Sequence, residues 1–108
     1  MVKVDSLILE TIRKFITKLD ENGIHVEAIY LFGSCAKGND DIFSDIDLAV
    51  ISSDLTNNRF EERIRLMKLS SGIDSRIEPV PFRPETFVDE DPLAWEIKKE
   101  GLPVKHFY

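Results

Sequence analysis

The chain has 108 residues, 43% hydrophobic and 31% charged, a size at which roughly two-thirds of the unfolded surface can be buried, enough for one core and no separate substrate lobe. With 20 acidic against 14 basic side chains its formal charge is −6, and without a cluster of Lys and Arg this excludes non-specific nucleic-acid binding by counterion release. One cysteine precludes an internal disulfide, and neither an apolar leader nor a run near the ~18 residues of a membrane span is present, so a cytoplasmic protein with no membrane contact is expected.

In chain order, Ile8, Ile12, Phe15, Ile16 and Leu19 recur at steps of three and four between Ser6 and Asn22, with Asp5 or Ser6 as N-cap and Gly23 beyond the end, which predicts an amphipathic helix. Val26 to Phe32, short and rich in branched and aromatic residues between Gly23 and Gly33, predicts a buried strand. After a polar stretch with glycines, Ser44 to Ile51 predicts a second strand, on which Asp45 and Asp47, two apart, face the same way. Asn57 to Ser70 predicts a helix with Phe60, Ile64 and Met67 on one stripe, read as packing. Ser75 to Phe82 predicts a third strand. Its Pro79 and Pro81, two apart, remove N–H groups on one side and make it an edge. The last helix has Asp91 as N-cap, Pro92 at its first position, Lys98 and Lys99 near its end and Gly101 as terminator. From Val104 to Tyr108 the tail is a short strand or unstructured. This order predicts an α/β (α+β) fold, one domain over 1–108, built on a small sheet with helices.

The chemistry is concentrated between Leu31 and Val50. A strand ending in Gly33-Ser34 and turning into a short segment of exposed backbone N–H groups suits a phosphate. A few residues later, the carboxylates of Asp45 and Asp47, ~7 Å apart along one strand face, repel one another until a cation neutralises them. Phosphate cradle and paired carboxylates together point to metal-assisted phosphoryl or nucleotidyl transfer. Gly33 to Gly38 has Walker A glycine spacing, but Asn39-Asp40 stands where Lys-Ser/Thr is required. An EF-hand fails because Asp45-Ile46-Asp47 runs straight into Leu48-Ala49-Val50. Cys35 reads as a small packing residue with no histidine nearby in sequence, and His25, His106, Asp40 and Asp41 carry no assigned chemistry.

Gly33-Ser34, ten residues, then Asp45-Ile46-Asp47, with Gly38 and Ser44 also in place, resembles the signature of the minimal nucleotidyltransferases of the DNA polymerase β-like superfamily. The resemblance implies a small mixed β-sheet flanked by helices, ATP as donor with two Mg²⁺ ions, and transfer of a nucleoside monophosphate with loss of pyrophosphate. Carried over by position, Gly33 and Ser34 would hold the phosphates, Asp45 and Asp47 would ligate the metals, and Ser44 would orient that pair. Where such proteins often read Gly-Ser-Arg-Ala-Arg-Gly, this chain has Cys35 and Lys37, so beside Gly38 the remaining basic contact, Lys37, is a point charge rather than a forked guanidinium.

A third carboxylate on a later strand is also implied, and Glu78 is preferred to Asp74. Glu78 lies inside an apolar strand, where an acid without a cation is costly, whereas Asp74 follows Gly72 in a setting typical of a turn. Small proteins resembling this one often form the antitoxin half of a pair with a helical HEPN toxin and transfer AMP to a toxin tyrosine. The alternatives are a catalytically weak module that neutralises a partner by docking, and nucleotidyl transfer to a small molecule.

Overall fold

The computed structural model describes residues 6–33 and 45–104. In chain order these form α1 (Ser6–Glu21), β1 (Ala28–Phe32), β2 (Ile46–Ile51), α2 (Arg59–Ser71), β3 (Ile77–Phe82), α3 (Pro92–Glu100) and β4 (Leu102–Pro103). The sheet is mixed, in the order β3-β2-β1-β4. β1 pairs antiparallel with both β2 and β4, while β2 and β3 run parallel. A parallel pair needs a crossover, and α2 supplies it.

Alternation along the strands divides the core between the two faces of the sheet. Ile29 and Leu31 of β1, Ile46, Leu48 and Val50 of β2, and Ile77 of β3 pack with Ile8, Ile12, Phe15, Ile16 and Leu19 of α1 and Leu66 of α2. On the opposite face Ala49, Ile51 and Phe82 meet Ala94 and Ile97 of α3, with Tyr30, Phe32 and Phe87 against them. Every apolar residue assigned to the buried face of α1 is buried there, and Gly23 takes the left-handed φ of 82° that ends a helix without a Cβ penalty.

The N-cap of α3 read from the sequence is in place. Asp91 Oδ1 accepts from the amides of Leu93 (2.9 Å) and Ala94 (3.3 Å), with Pro92 at the first turn of α3. β3 lies at the edge as expected: Arg76 and Phe82 direct their carbonyls to β2, so Pro79 and Pro81, of opposite parity, turn their missing donors outward.

Three expectations need correction. β1 begins at Ala28 and β2 at Ile46, so Asp45 stands just ahead of its strand. Ahead of the tail, where no strand was anticipated, Leu102 and Pro103 add to the free side of β1 opposite Leu31 and Tyr30, while residues 105–108 lie outside the described residues. The largest difference is in α2, whose Phe60, Ile64 and Met67 stripe faces solvent while Glu62, Leu66 and Ser70 are buried. The helix carries apolar residues on two sides, and Leu66 with half-buried Leu69 turns inward. Glu62 is held on that side because its Oε2 accepts from the Thr56 amide at 2.7 Å.

Candidate active site

β1 ends at Phe32, and the next residue, Gly33, turns away with φ of 74°. Only glycine enters this region without penalty. Its lack of a side chain is also required by the neighbouring strand: a Cβ at Gly33 would lie 2.2 Å from Asp47 Oδ2. The Gly33 backbone and the Asp47 carboxylate thus occupy one point at the end of the sheet.

The strand register assembles the rest. Phe32 is opposite Asp47, and Asp47 is opposite Glu78, so the three side chains form a row on the α3-facing side, one strand spacing apart. Asp45, two residues before Asp47, shares its parity. Burial holds the Asp47 carboxyl above its ordinary proton affinity, and the charges of Asp45 and then Glu78 raise it further. Glu78 in turn lies 3.6 Å from the Arg63 guanidinium of α2. Arg59, one turn earlier on α2, bonds Asp91 at 2.9 Å and stacks 4.8 Å over the Phe82 ring. Both arginines therefore reach from α2 past the proline-bearing edge to groups at the α3-facing side.

Asp74 has another environment. The Arg76 guanidinium grips its two oxygens at 2.9–3.3 Å, and its Oδ1 also accepts from the Arg76 amide. The side-chain bond from Arg76 is the main cause that holds Asp74 below the ordinary carboxylate range. Of the two candidates for a third acid, Glu78 stands beside Asp47 and Asp74 is committed to its turn.

A cleft of ≈ 200 Å³ opens at this end of the sheet, lined by Phe32, Gly33, Asp47, Glu96, Ile97 and Glu100. Sequence reading missed Glu96 and Glu100, one turn apart on α3. It also missed Arg63, whose proximity to Glu78 depends on the packing of α2 beside β3. Ser34, Cys35, Lys37, Gly38, Asp40, Asp41 and Ser44, like His106, lie outside the described residues. His25 sits at the other end of β1, bonded to Asp54 at 3.0 Å and near Asp20 at 3.3 Å.

The donor set fits a divalent cation. Asp45, Asp47 and Glu78 offer hard carboxylate oxygens on one side of the sheet, and the raised proton affinity of Asp47 marks a negative charge that a cation would stabilise. Among the described residues no group of three or more His, Cys, Asp or Glu side chains is already gathered as a metal site.

Residues 10–104 match the family described as polymerase beta, nucleotidyltransferase. Protein adenylyltransferase MntA of Shewanella oneidensis is 37% identical over 70 residues, covering 65% of this chain and 50% of MntA. The chain thus spans half the length of that curated relative. Among solved structures, a toxin-antitoxin crystallised with AMP-PNP superposes with a TM-score of 0.63 at 32% identity, over 85% of this chain and 70% of the other. A protein of Sulfolobus solfataricus, described as a candidate nucleotidyltransferase, shares the fold at 19% identity, with a TM-score of 0.61 over 95% of this chain and 89% of its own.

Proposed function

The chain belongs to the polymerase β nucleotidyltransferase family, and from that premise we propose that it transfers AMP from MgATP to a hydroxyl on a partner protein, a tyrosine of a helical HEPN-type toxin, in an antitoxin role. One observation carries the reading: Asp47, flanked by Asp45 and Glu78, has its carboxylate against the Cβ-less backbone of Gly33 at the mouth of a cleft. The adenylyltransferase name of the MntA relative and the AMP-PNP held by a toxin-antitoxin structure support the choice of donor and class of partner.

In this reading Asp45, Asp47 and Glu78 would hold two Mg²⁺ ions, which would supply positive charge to offset that of the phosphates. Gly33 lets the chain approach the donor phosphates, and Ser34, Lys37, Gly38 and Ser44 complete the nucleotide contacts. The acceptor hydroxyl loses its proton to the carboxylate of Glu78 as its oxygen bonds to the α-phosphorus. The bond from that phosphorus to the pyrophosphate oxygen breaks. Arg63 stands beside Glu78 and restrains the carboxylate while it works.

Co-expression of the chain with its native partner, followed by intact-mass measurement after incubation with MgATP, tests this directly. An AMP adduct on the partner is expected with the native chain and none with Asp47→Asn. A partner neutralised by both proteins, with ATP unconsumed, would instead establish the docking module.

A further inference from the structure

The outer face of α2 carries an unpartnered ridge. Phe60, Ile64 and Met67, at i, i+4 and i+7, are 75%, 39% and 43% exposed, and that spacing brings them together on one side of the helix. Large apolar side chains aligned in this way mark an interaction surface far more than scattered ones do. Along one flank of the ridge stand Glu61, near the start of the helix, and Lys68, near its end. Among the described residues neither has an ion-pair partner. The same flank borders a groove of ≈ 330 Å³ lined by Glu61, Ile64, Arg65, Lys68, Leu69 and Asn22.

We propose that this face pairs with α2 of a second copy of the chain, about a two-fold axis passing near Ile64, with the two helices antiparallel. The charge pattern chooses the occupant. Opposite signs at opposite ends of one flank are complementary to their own two-fold image: antiparallel pairing brings Glu61 of each copy to Lys68 of the other. A partner of uniform charge would gain at one of these residues and lose at the other. The apolar parts match under the same operation, because Phe60 of one copy then falls beside Ile64 and Lys68 of the other, at the mouth of the groove. A single pair of helix faces buries less than the ~1,200 Å² of a standard interface, so the dimer is weak and concentration-dependent. Surface ion pairs add little affinity and mainly set register, which makes the dimer sensitive to salt.

This inference is independent of the transfer chemistry. Sedimentation equilibrium in low salt, at chain concentrations from about 5 to about 500 µM, the range in which weak interfaces associate, should show the mass rising from 12.4 kDa toward that of two chains. Phe60→Glu should weaken association at least about tenfold, as loss of an aromatic anchor does, with helical circular dichroism retained. Phe60→Ser serves the same purpose if the glutamate variant does not fold. Lys68→Glu alone should weaken the dimer, and adding Glu61→Lys should restore it. The proposal is overturned by a monomer mass throughout, by a dimer indifferent to Phe60 replacement, or by a double exchange no better than the single one.

Discussion

At Gly33 and Asp47 two constraints on one point reinforce each other. A side chain at Gly33 would meet an oxygen of Asp47 at 2.2 Å and would have to take a φ of 74°, a region costing L-residues about 1–2 kcal/mol. Gly33→Ala is therefore expected to destabilise the chain by about that much and also to displace the carboxylate, abolishing transfer. Retained transfer in a folded Gly33→Ala protein would separate Asp47 from the chemistry. Asp47→Asn should have the opposite effect on stability. Its carboxyl binds protons more tightly in the fold than at its unfolded value of 3.8, through burial and then the charges of Asp45 and Glu78. The stabilisation from the protonated form is complete below 3.8 and is lost as pH rises through the folded value. Near neutrality the charged carboxylate thus opposes folding, and Asp47→Asn should raise Tm by up to about 4 °C there, the small size reflecting solvent screening. Thermal melts across pH should show that gain shrinking toward acid, while transfer is lost at every pH.

At the scale of elements, β3 and α2 decide which acid joins Asp47. The parallel register places Glu78 opposite Asp47, while Asp74 is fastened to Arg76 before the strand begins. Glu78→Gln should lower the transfer rate by about 10³-fold or more, as removal of a proton acceptor or metal ligand does. Asp74→Asn should leave the rate within a few-fold and lower stability, since it weakens the turn; the reverse pattern would move the third acid out of the strand. Much of this architecture was legible because it is local. The α1 stripe, the Asp91 and Pro92 start of α3 and the proline-marked edge each depend on residues within a turn or two. What was not legible depends on long-range packing. α2 carries Phe60, Ile64 and Met67 on one side and Leu66 and Leu69 on another, and periodicity cannot decide between two apolar stripes; Glu62, buried for its bond to Thr56, settles it against hydropathy. Arg63 meets Glu78, and Glu96 and Glu100 meet the cleft, only once helices from elsewhere in the chain are laid against the sheet.

Over the whole molecule, the charge of −6 and the acids around the cleft set the terms on which a nucleotide can enter. Asp47, Glu96 and Glu100 line it, and Asp45 and Glu78 act electrostatically on Asp47. A triphosphate brought to such a site meets repulsion at short range, where the low dielectric of a part-buried carboxylate magnifies it. Arg63 does not remove that repulsion, because a single guanidinium beside Glu78 faces several acids. A divalent ion bound between carboxylates and phosphates inverts the local charge, so ATP affinity should depend on metal more steeply than general ionic strength can explain. Calorimetric titration of the chain with ATP should give measurable binding in Mg²⁺ and at least about a tenfold loss in EDTA with ionic strength held constant by monovalent salt. Glu96→Gln with Glu100→Gln separates the roles of the acids. Removing acids that only add to the field should strengthen binding in EDTA more than in Mg²⁺, whereas removing metal ligands would weaken binding in Mg²⁺ alone. Equal affinity of the native chain in Mg²⁺ and EDTA would show that the nucleotide is held away from Asp45 and Asp47.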